Sequence, residues 1–152
     1  MGWLERDGGA GRLDLKVRPL QARDDGPISK AFAAIGWNKP APQYRRYFAE
    51  QQSGCREAFV ASLDDEFVGY ATLVWQPDYP PFREAGIPDI QDLNVLPRFQ
   101  RRGIASHLMD EAERVAACSS SVVGIGVGVT EDYGAAQRLY VLRGYVPDGR
   151  GL

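Results

Sequence analysis

The stretch that decides the fold is Leu93-Asn94-Val95-Leu96-Pro97-Arg98-Phe99-Gln100-Arg101-Arg102-Gly103-Ile104-Ala105-Ser106-His107-Leu108. It reads as a buried strand that passes through a short basic turn into an amphipathic helix. Gly103 and the small Ala105 stand where turn becomes helix. The first amides of a helix lack intrahelical acceptors and carry the positive end of its dipole, so such a junction is suited to hold an anion. Arg98, Arg101 and Arg102 add mobile positive charge beside it. The fitting guest is a pyrophosphate.

Working outward, one further strand separates this helix from a second, which ends Leu139-Tyr140-Val141-Leu142-Arg143-Gly144-Tyr145. The spacing Gln100-x-x-Gly103-x-Ala105 after a Leu-x-Val strand end, followed by this helix, resembles the GNAT superfamily of acyl-CoA-dependent N-acyltransferases. The likeness is firm from Asp92 to Tyr145 and compatible upstream.

The 152 residues suit a single domain, and 44% hydrophobic with 25% charged residues is a globular composition. A net charge of −2 argues against nucleic acid as a partner. No apolar run reaches the length of a membrane span, so no membrane association is expected. Two distant cysteines, Cys55 and Cys118, suit reduced thiols in the cytoplasm. His107 is the single histidine, and without cysteine clusters no metal site is expected.

Residues 1–11, rich in glycine and charge, are expected to be a loose lead-in. Leu13, Leu15 and Val17 alternate as in a half-buried strand, and Asp24 and Asp25 can cap a helix reaching about Ala34. Tyr44, Tyr47, Phe48 and Gln51 recur at helical spacing. Ala58 to Leu63 and Phe67 to Trp75 read as a hairpin turning at Asp64-Asp65-Glu66, and the proline-bearing segment 76–88 as a loop. Ile90 to Leu96 is a strand, and Ile104, Leu108, Met109, Ala112, Val115 and Ala116 form one helical stripe. Val123 to Val129 alternates with Gly124, Gly126 and Gly128, which implies close approach by a helix, another backbone or a ligand. Gly144 is placed to cap the last helix.

The order β-α-α-β-β-β-α-β-α-β, with a mixed, mostly antiparallel sheet and helices on both faces, matches the GNAT arrangement. The family usually continues through another strand, so the expectation here is that a final strand is missing through truncation.

The resemblance implies acetyl-CoA as co-substrate and a primary amine, on a small molecule or peptide, as acceptor. Its pyrophosphate would rest on the amides of Arg101, Arg102, Gly103, Ile104 and Ala105, helped by Gln100 or Ser106. Its pantetheine arm would run beside Leu93, Asn94 and Val95, splayed between this strand and the next. A main-chain N–H near Asn94 or Val95 would meet the thioester oxygen as charge develops. Tyr140 matches the tyrosine that protonates the departing thiolate. Where the family often has asparagine, seven residues earlier, this chain has Tyr133.

The amine must also lose a proton, and Asp89, Asp92 and Glu131 are the candidate bases. By strand alternation Asp92 shares a face with Asn94 and Ile90 while Asp89 points the other way, so Asp92 is preferred. His107 is expected to be exposed. Trp37, Tyr44, Tyr47, Trp75, Tyr79 and Phe82 are placed to line an acceptor cleft or to pack in the core.

Two other readings compete with an enzyme. A catalytically inactive acyl-CoA-binding sensor or assembly module would keep the anchoring turn without the transfer. A Rossmann-type nucleotide domain needs a glycine fingerprint near the first strand, and none is present. A homodimer is compatible with all of this.

Overall fold

The computed structural model describes residues 14–126 and 134–147. The expected lead-in, Leu13, the strand residues Val127 and Val129 with Gly128, and the positions Glu131 and Tyr133 lie outside the described residues. So do residues 148–152.

Among the described residues the sheet has five strands in the order β1 (Leu15–Pro19), β2 (Arg56–Leu63), β3 (Glu66–Val74), β4 (Asp89–Val95) and β5 (Gly124–Ile125). The first four pair antiparallel and β5 joins β4 in parallel, which is the expected mixed and mostly antiparallel sheet. The β2–β3 turn has Asp64 and Asp65 at φ 49° and 68°, the backbone of a tight hairpin whose twist matches its strands.

Helices cover both faces. On one side lie α1 (Asp25–Ala33) and α2 (Ala41–Gln52). Their Phe32 and Tyr44 meet Tyr70 of β3 edge-on, at 5.9 and 5.2 Å between ring centres. The segment after β3 holds a short helix, α3 (Pro80–Ala85). On the other side α4 (Ile104–Ala116) buries Ile104, Leu108, Met109, Ala112 and Ala116 against β2, β3 and β4. The last helix is α5 (Gly134–Leu142). Gly144 ends it at φ 92°, with the amides of Gly144 and Tyr145 returning to Val141 and Tyr140, as expected for a left-handed cap. No described helix is long and apolar enough to cross a membrane.

Several expectations need correction. Segment 76–88 is not all loop, because Pro80 and Pro81 open α3, which Gly86 closes at φ 70°. Proline at the first helical positions forfeits no bond, since those amides are unpaired in any helix. Asp24 does not cap α1 with its side chain. It accepts instead from both terminal nitrogens of Arg18, at 2.8 Å each, and from the Gln21 amide. Residues 145–147 form no strand; Val146 there is exposed.

The feature that positions the site is a bulge in β4. Tyr70 faces Asn94 and Thr72 faces Gln91, so β4 spends three steps where β3 spends two. The extra residue is accommodated at Asp92, whose φ of 57° lies in the left-handed region. Residues opposite one another on paired strands share a face, so Asp89, Gln91 and Asn94 lie with Val74, Thr72 and Tyr70 on the α1–α2 side. Ile90, opposite Leu73, takes the other side. The expected alternation therefore fails: Asp92 shares a face with Asn94 and Asp89, not with Ile90.

Glycine on β3 permits this geometry. A Cβ on Gly69 would stand 2.7 Å from the Asn94 carbonyl oxygen. Gly69→Ala is expected to cost about 1–3 kcal/mol by overpacking, read from denaturant unfolding. An unchanged midpoint would mean that the bulge yields freely.

Candidate active site

The basic turn forms as the sequence suggests. Pro97–Phe99 makes a single 3-10 turn, Arg101 adopts φ 64° and Gly103 adopts φ 81° at the start of α4. Among the described residues the amides of residues 101–106 find no acceptor; the first helical bond is from His107 to the Gly103 carbonyl. The two left-handed residues, Arg101 and Gly103, flank Arg102, and such turns aim neighbouring N–H groups into a concavity that favours an anion. Gly103 is needed for its positive φ, and a Cβ there would meet nothing within 4 Å among the described residues.

The side chains around the turn divide into two groups. Gln100 is spent inward, its Nε2 donating to the Val95 carbonyl at 3.1 Å, so it ties turn to strand. Ile104 is buried in the core, whereas Ala105 and Ser106 are half-buried. Arg98, expected beside the anion, instead pairs with Glu66 and covers the Phe99 ring. Arg101 and Arg102 are exposed and in no ion pair among the described residues. His107 is half-buried rather than exposed.

Beside the turn, β4 and β5 pair through Asp89–Gly124 and Ile90–Ile125. From Gln91 to Val95 that edge of β4 has no strand partner among the described residues. Leu93, Asn94 and Val95 thus line an open edge that leads toward the unpaired amides. Of the three glycines expected to admit a close neighbour, Gly124 does so: the Phe82 ring occupies the space its Cβ would take. Gly126 has no such neighbour among the described residues, and Gly128 lies outside them.

On the α1–α2 side, Asp92 is the hub of a polar network. Its Oδ2 accepts from Tyr70 at 2.6 Å, Tyr47 at 2.7 Å and Gln43 at 3.0 Å. Its Oδ1 accepts from Asn94 at 2.8 Å and faces the Lys39 ammonium at 3.5 Å. Burial, and then the negative charge of Asp92, pushes the Tyr47 phenol up to about 12 and raises Tyr70 further. Both hydroxyls therefore remain protonated donors at neutral pH.

Asp89 is different in kind. It is buried, its Oδ2 accepts from Gln91 at 3.0 Å, and among the described residues its Oδ1 has no hydrogen-bond partner. Burial raises its carboxyl above the ordinary range, against the smaller opposing effect of the Gln91 hydrogen bond.

Tyr140 is 8% exposed on α5, with its ring 6.1 Å from that of Tyr145. Arg143 donates to Glu113 and Asp110, and Tyr145 donates to Glu113, which fastens this helix end to α4. The residues that close α5 are thereby tied by side chains to the later turns of α4.

Of the aromatic candidates, Tyr44 and Tyr47 are buried, while Trp37 and Tyr79 are exposed. Trp75 donates its indole N–H to Glu57 at 3.1 Å. Sequence reasoning does not reach Gln43, Tyr70 or Lys39. The spacing of Gln43 and Tyr47, one turn apart on α2, is visible in the sequence, but their common partner on β4 is not. No group of three metal-ligating side chains occurs among the described residues.

A model of the Acetyltransferase (GNAT) family matches residues 25–145, and the chain belongs to that family. Among solved structures it is similar to an acetyltransferase from Trypanosoma brucei, with 16% identity, 91% of this chain and 97% of that one covered, and a TM-score of 0.67. It is also similar to a ribosomal-protein-alanine N-acetyltransferase from Brucella melitensis biovar Abortus 2308, at 18% identity, 91% and 96% coverage and a TM-score of 0.67. An aminoglycoside N-acetyltransferase in complex with CoA shares 14% identity over 95% of both chains, with a TM-score of 0.74. At such identities the likeness is one of fold. No curated protein matches the sequence.

Valine at position 103 would be strained at positive φ and would crowd the anion-facing surface. Gly103→Val is expected to weaken coenzyme A by about tenfold or more in calorimetry, with the far-ultraviolet circular dichroism retained. Unchanged affinity would remove the turn from the binding site.

Proposed function

We propose that the chain transfers an acetyl group from acetyl-CoA to a primary amine of a small-molecule acceptor, by direct attack of the amine on the thioester. The observation that carries this reading is the run of acceptor-free amides at residues 101–106, next to the open, bulged edge of β4. The aminoglycoside acetyltransferase of similar fold supports a small amine as the acceptor. Free, exposed Cys55 and Cys118 suit a reducing compartment, and we assign the protein to the cytoplasm.

In this mechanism the pyrophosphate rests on the amides of Arg101, Arg102, Gly103, Ile104, Ala105 and Ser106, with the guanidinium groups of Arg101 and Arg102 screening it. Gln100 holds the turn to the strand. The pantetheine arm adds to β4 along Leu93, Asn94 and Val95, pairing backbone with backbone. A main-chain N–H at the bulge donates to the carbonyl oxygen as it becomes an oxyanion.

The amine nitrogen bonds to the carbonyl carbon and yields a proton to a carboxylate, directly or through a water. Asp89 is the better base, because among the described residues its Oδ1 has no partner while both oxygens of Asp92 are occupied. Asp92 shapes the bulge. As the tetrahedral adduct collapses, the C–S bond breaks and the thiolate takes the Tyr140 hydroxyl proton.

Thiol release from acetyl-CoA with a panel of amines tests the reading. Turnover supports it; coenzyme binding without thiol release would leave the inactive binding module. Tyr140→Phe is expected to lower turnover about tenfold or more. Unaltered turnover would assign Tyr140 to packing alone.

Asp89→Asn separates catalysis from stability. Burial raises Asp89 in the folded chain above its unfolded value of about 4, so the folded state binds more protons. Stability therefore falls as pH rises from that value through the raised one. The asparagine variant is expected to match the parent's thermal midpoint in acid and exceed it in mildly alkaline buffer, while thiol release drops about a hundredfold. Retained thiol release would exclude Asp89 as the base.

A further inference from the structure

The chain's own ammonium sits against the carboxylate that organises the site. Three of the five groups on Asp92 are short hydrogen bonds to Oδ2, and a fourth, from Asn94, fills one position on Oδ1. The fifth differs. Lys39 reaches Oδ1 at 3.5 Å from the loop between α1 and α2, with its side chain 23% exposed. This is an ion pair longer than a good hydrogen bond, made by the most flexible side chain in the set.

The surroundings are those of an organic cation site. The Phe32 ring lies 5.9 Å from the Lys39 ammonium, and Trp37 stacks on Phe32 at 5.6 Å. A carboxylate beside an aromatic surface holds alkylammonium groups by charge and by the ring quadrupole. A second observation comes from the same face of β4, which carries the buried Asp89, its Oδ1 unpartnered among the described residues. Three strand steps separate the two acids, a span of up to about 10 Å at the usual rise. That is the reach of a flexible diamine.

We propose that the Oδ1 side of Asp92 is a subsite for a second, non-reacting ammonium of the acceptor, and that Lys39 occupies it as an exchangeable stand-in. The acceptor class is then diamines and polyamines. Which amine becomes acetylated rests on the acetyl-transfer reading; the subsite itself rests on the geometry around Asp92. A partly exposed ion pair is weak, so an incoming ammonium can displace Lys39 at little cost.

Calorimetric titration of the full chain with hexamethylenediamine and with hexylamine tests this. Lys39→Met is expected to bind the diamine about fivefold more tightly than the parent, and hexylamine less than about twofold more tightly. Lys39→Arg should restore the parent's affinity, and Lys16→Met, which removes the same charge from β1, should leave it unchanged. In thiol release, Lys39→Met should lower the KM for the diamine with kcat unaltered. Equal diamine affinity in parent and Lys39→Met, an equal gain for hexylamine, or the same gain in Lys16→Met would overturn the subsite. A gain in binding with no thiol release in any variant would keep the subsite and reject acetyl transfer. Thiol release without that gain would do the reverse.

Discussion

The site depends on a carboxylate that holds a strand out of register. Asp92 has φ 57°, a conformation that costs a non-glycine residue about 1–3 kcal/mol. The cost is met by donors from three elements: Gln43 and Tyr47 on α2, Tyr70 on β3 and Asn94 on β4 itself. Hydrogen bonds to a charged group contribute about 1.5–3 kcal/mol each, so any two of them offset the strain. The bulge is thus stabilised from the helix face, and the backbone it displaces is presented on the open edge. Losing the carboxylate would release the strand and also take away the acceptor shared by the buried Tyr47 and Tyr70.

The surrounding core makes that network specific. Tyr44, Tyr47 and Tyr70 are buried, and Tyr44 donates to Tyr70 at 3.1 Å while Tyr70 donates onward to Asp92. With their phenols raised by burial, the hydroxyls act as donors at every pH where the fold is of interest. The rings meanwhile seal α1 and α2 to the sheet. One cluster thereby sets both the helix packing and the shape of β4.

What can be read from the sequence is what depends on neighbours along the chain. The hairpin at Asp64-Asp65, the stripe from Ile104 to Ala116, the cap at Gly144 and the turn at Arg101 to Gly103 all express local backbone preferences. The bulge does not. Its register emerges from pairing β3 with β4, where Gly69 makes room, and nothing near Asp92 in sequence announces it. Once the phase shifts, facing assignments along β4 change, which is why simple alternation puts Asp89 on the wrong side. Gln43, Tyr70 and Lys39 are invisible for the same reason: they lie 49, 22 and 53 positions from Asp92 and meet it only through the fold. The arginines show the converse limit, since Arg98 looks available as charge and is drawn to Glu66 at the start of β3.

The two aspartates of β4 carry opposite electrostatic circumstances on one face. Asp92 is partly open and surrounded by donors, so its oxygens are engaged in holding structure. Asp89 is 7% exposed with one oxygen unpartnered, an arrangement that makes its ionised form unfavourable. A folded chain keeps such a group only against a cost in stability. Leucine or isoleucine at that position would relieve the cost, as Ile90 and Leu73 do across the sheet, each buried without penalty. In the proposed transfer the useful property of the buried acid is its raised affinity for a proton: a carboxylate that is poorly solvated is a stronger base than an exposed one. On the proposed mechanism the acid that is well served by the fold gives the site its shape, and the acid that is poorly served gives it its base.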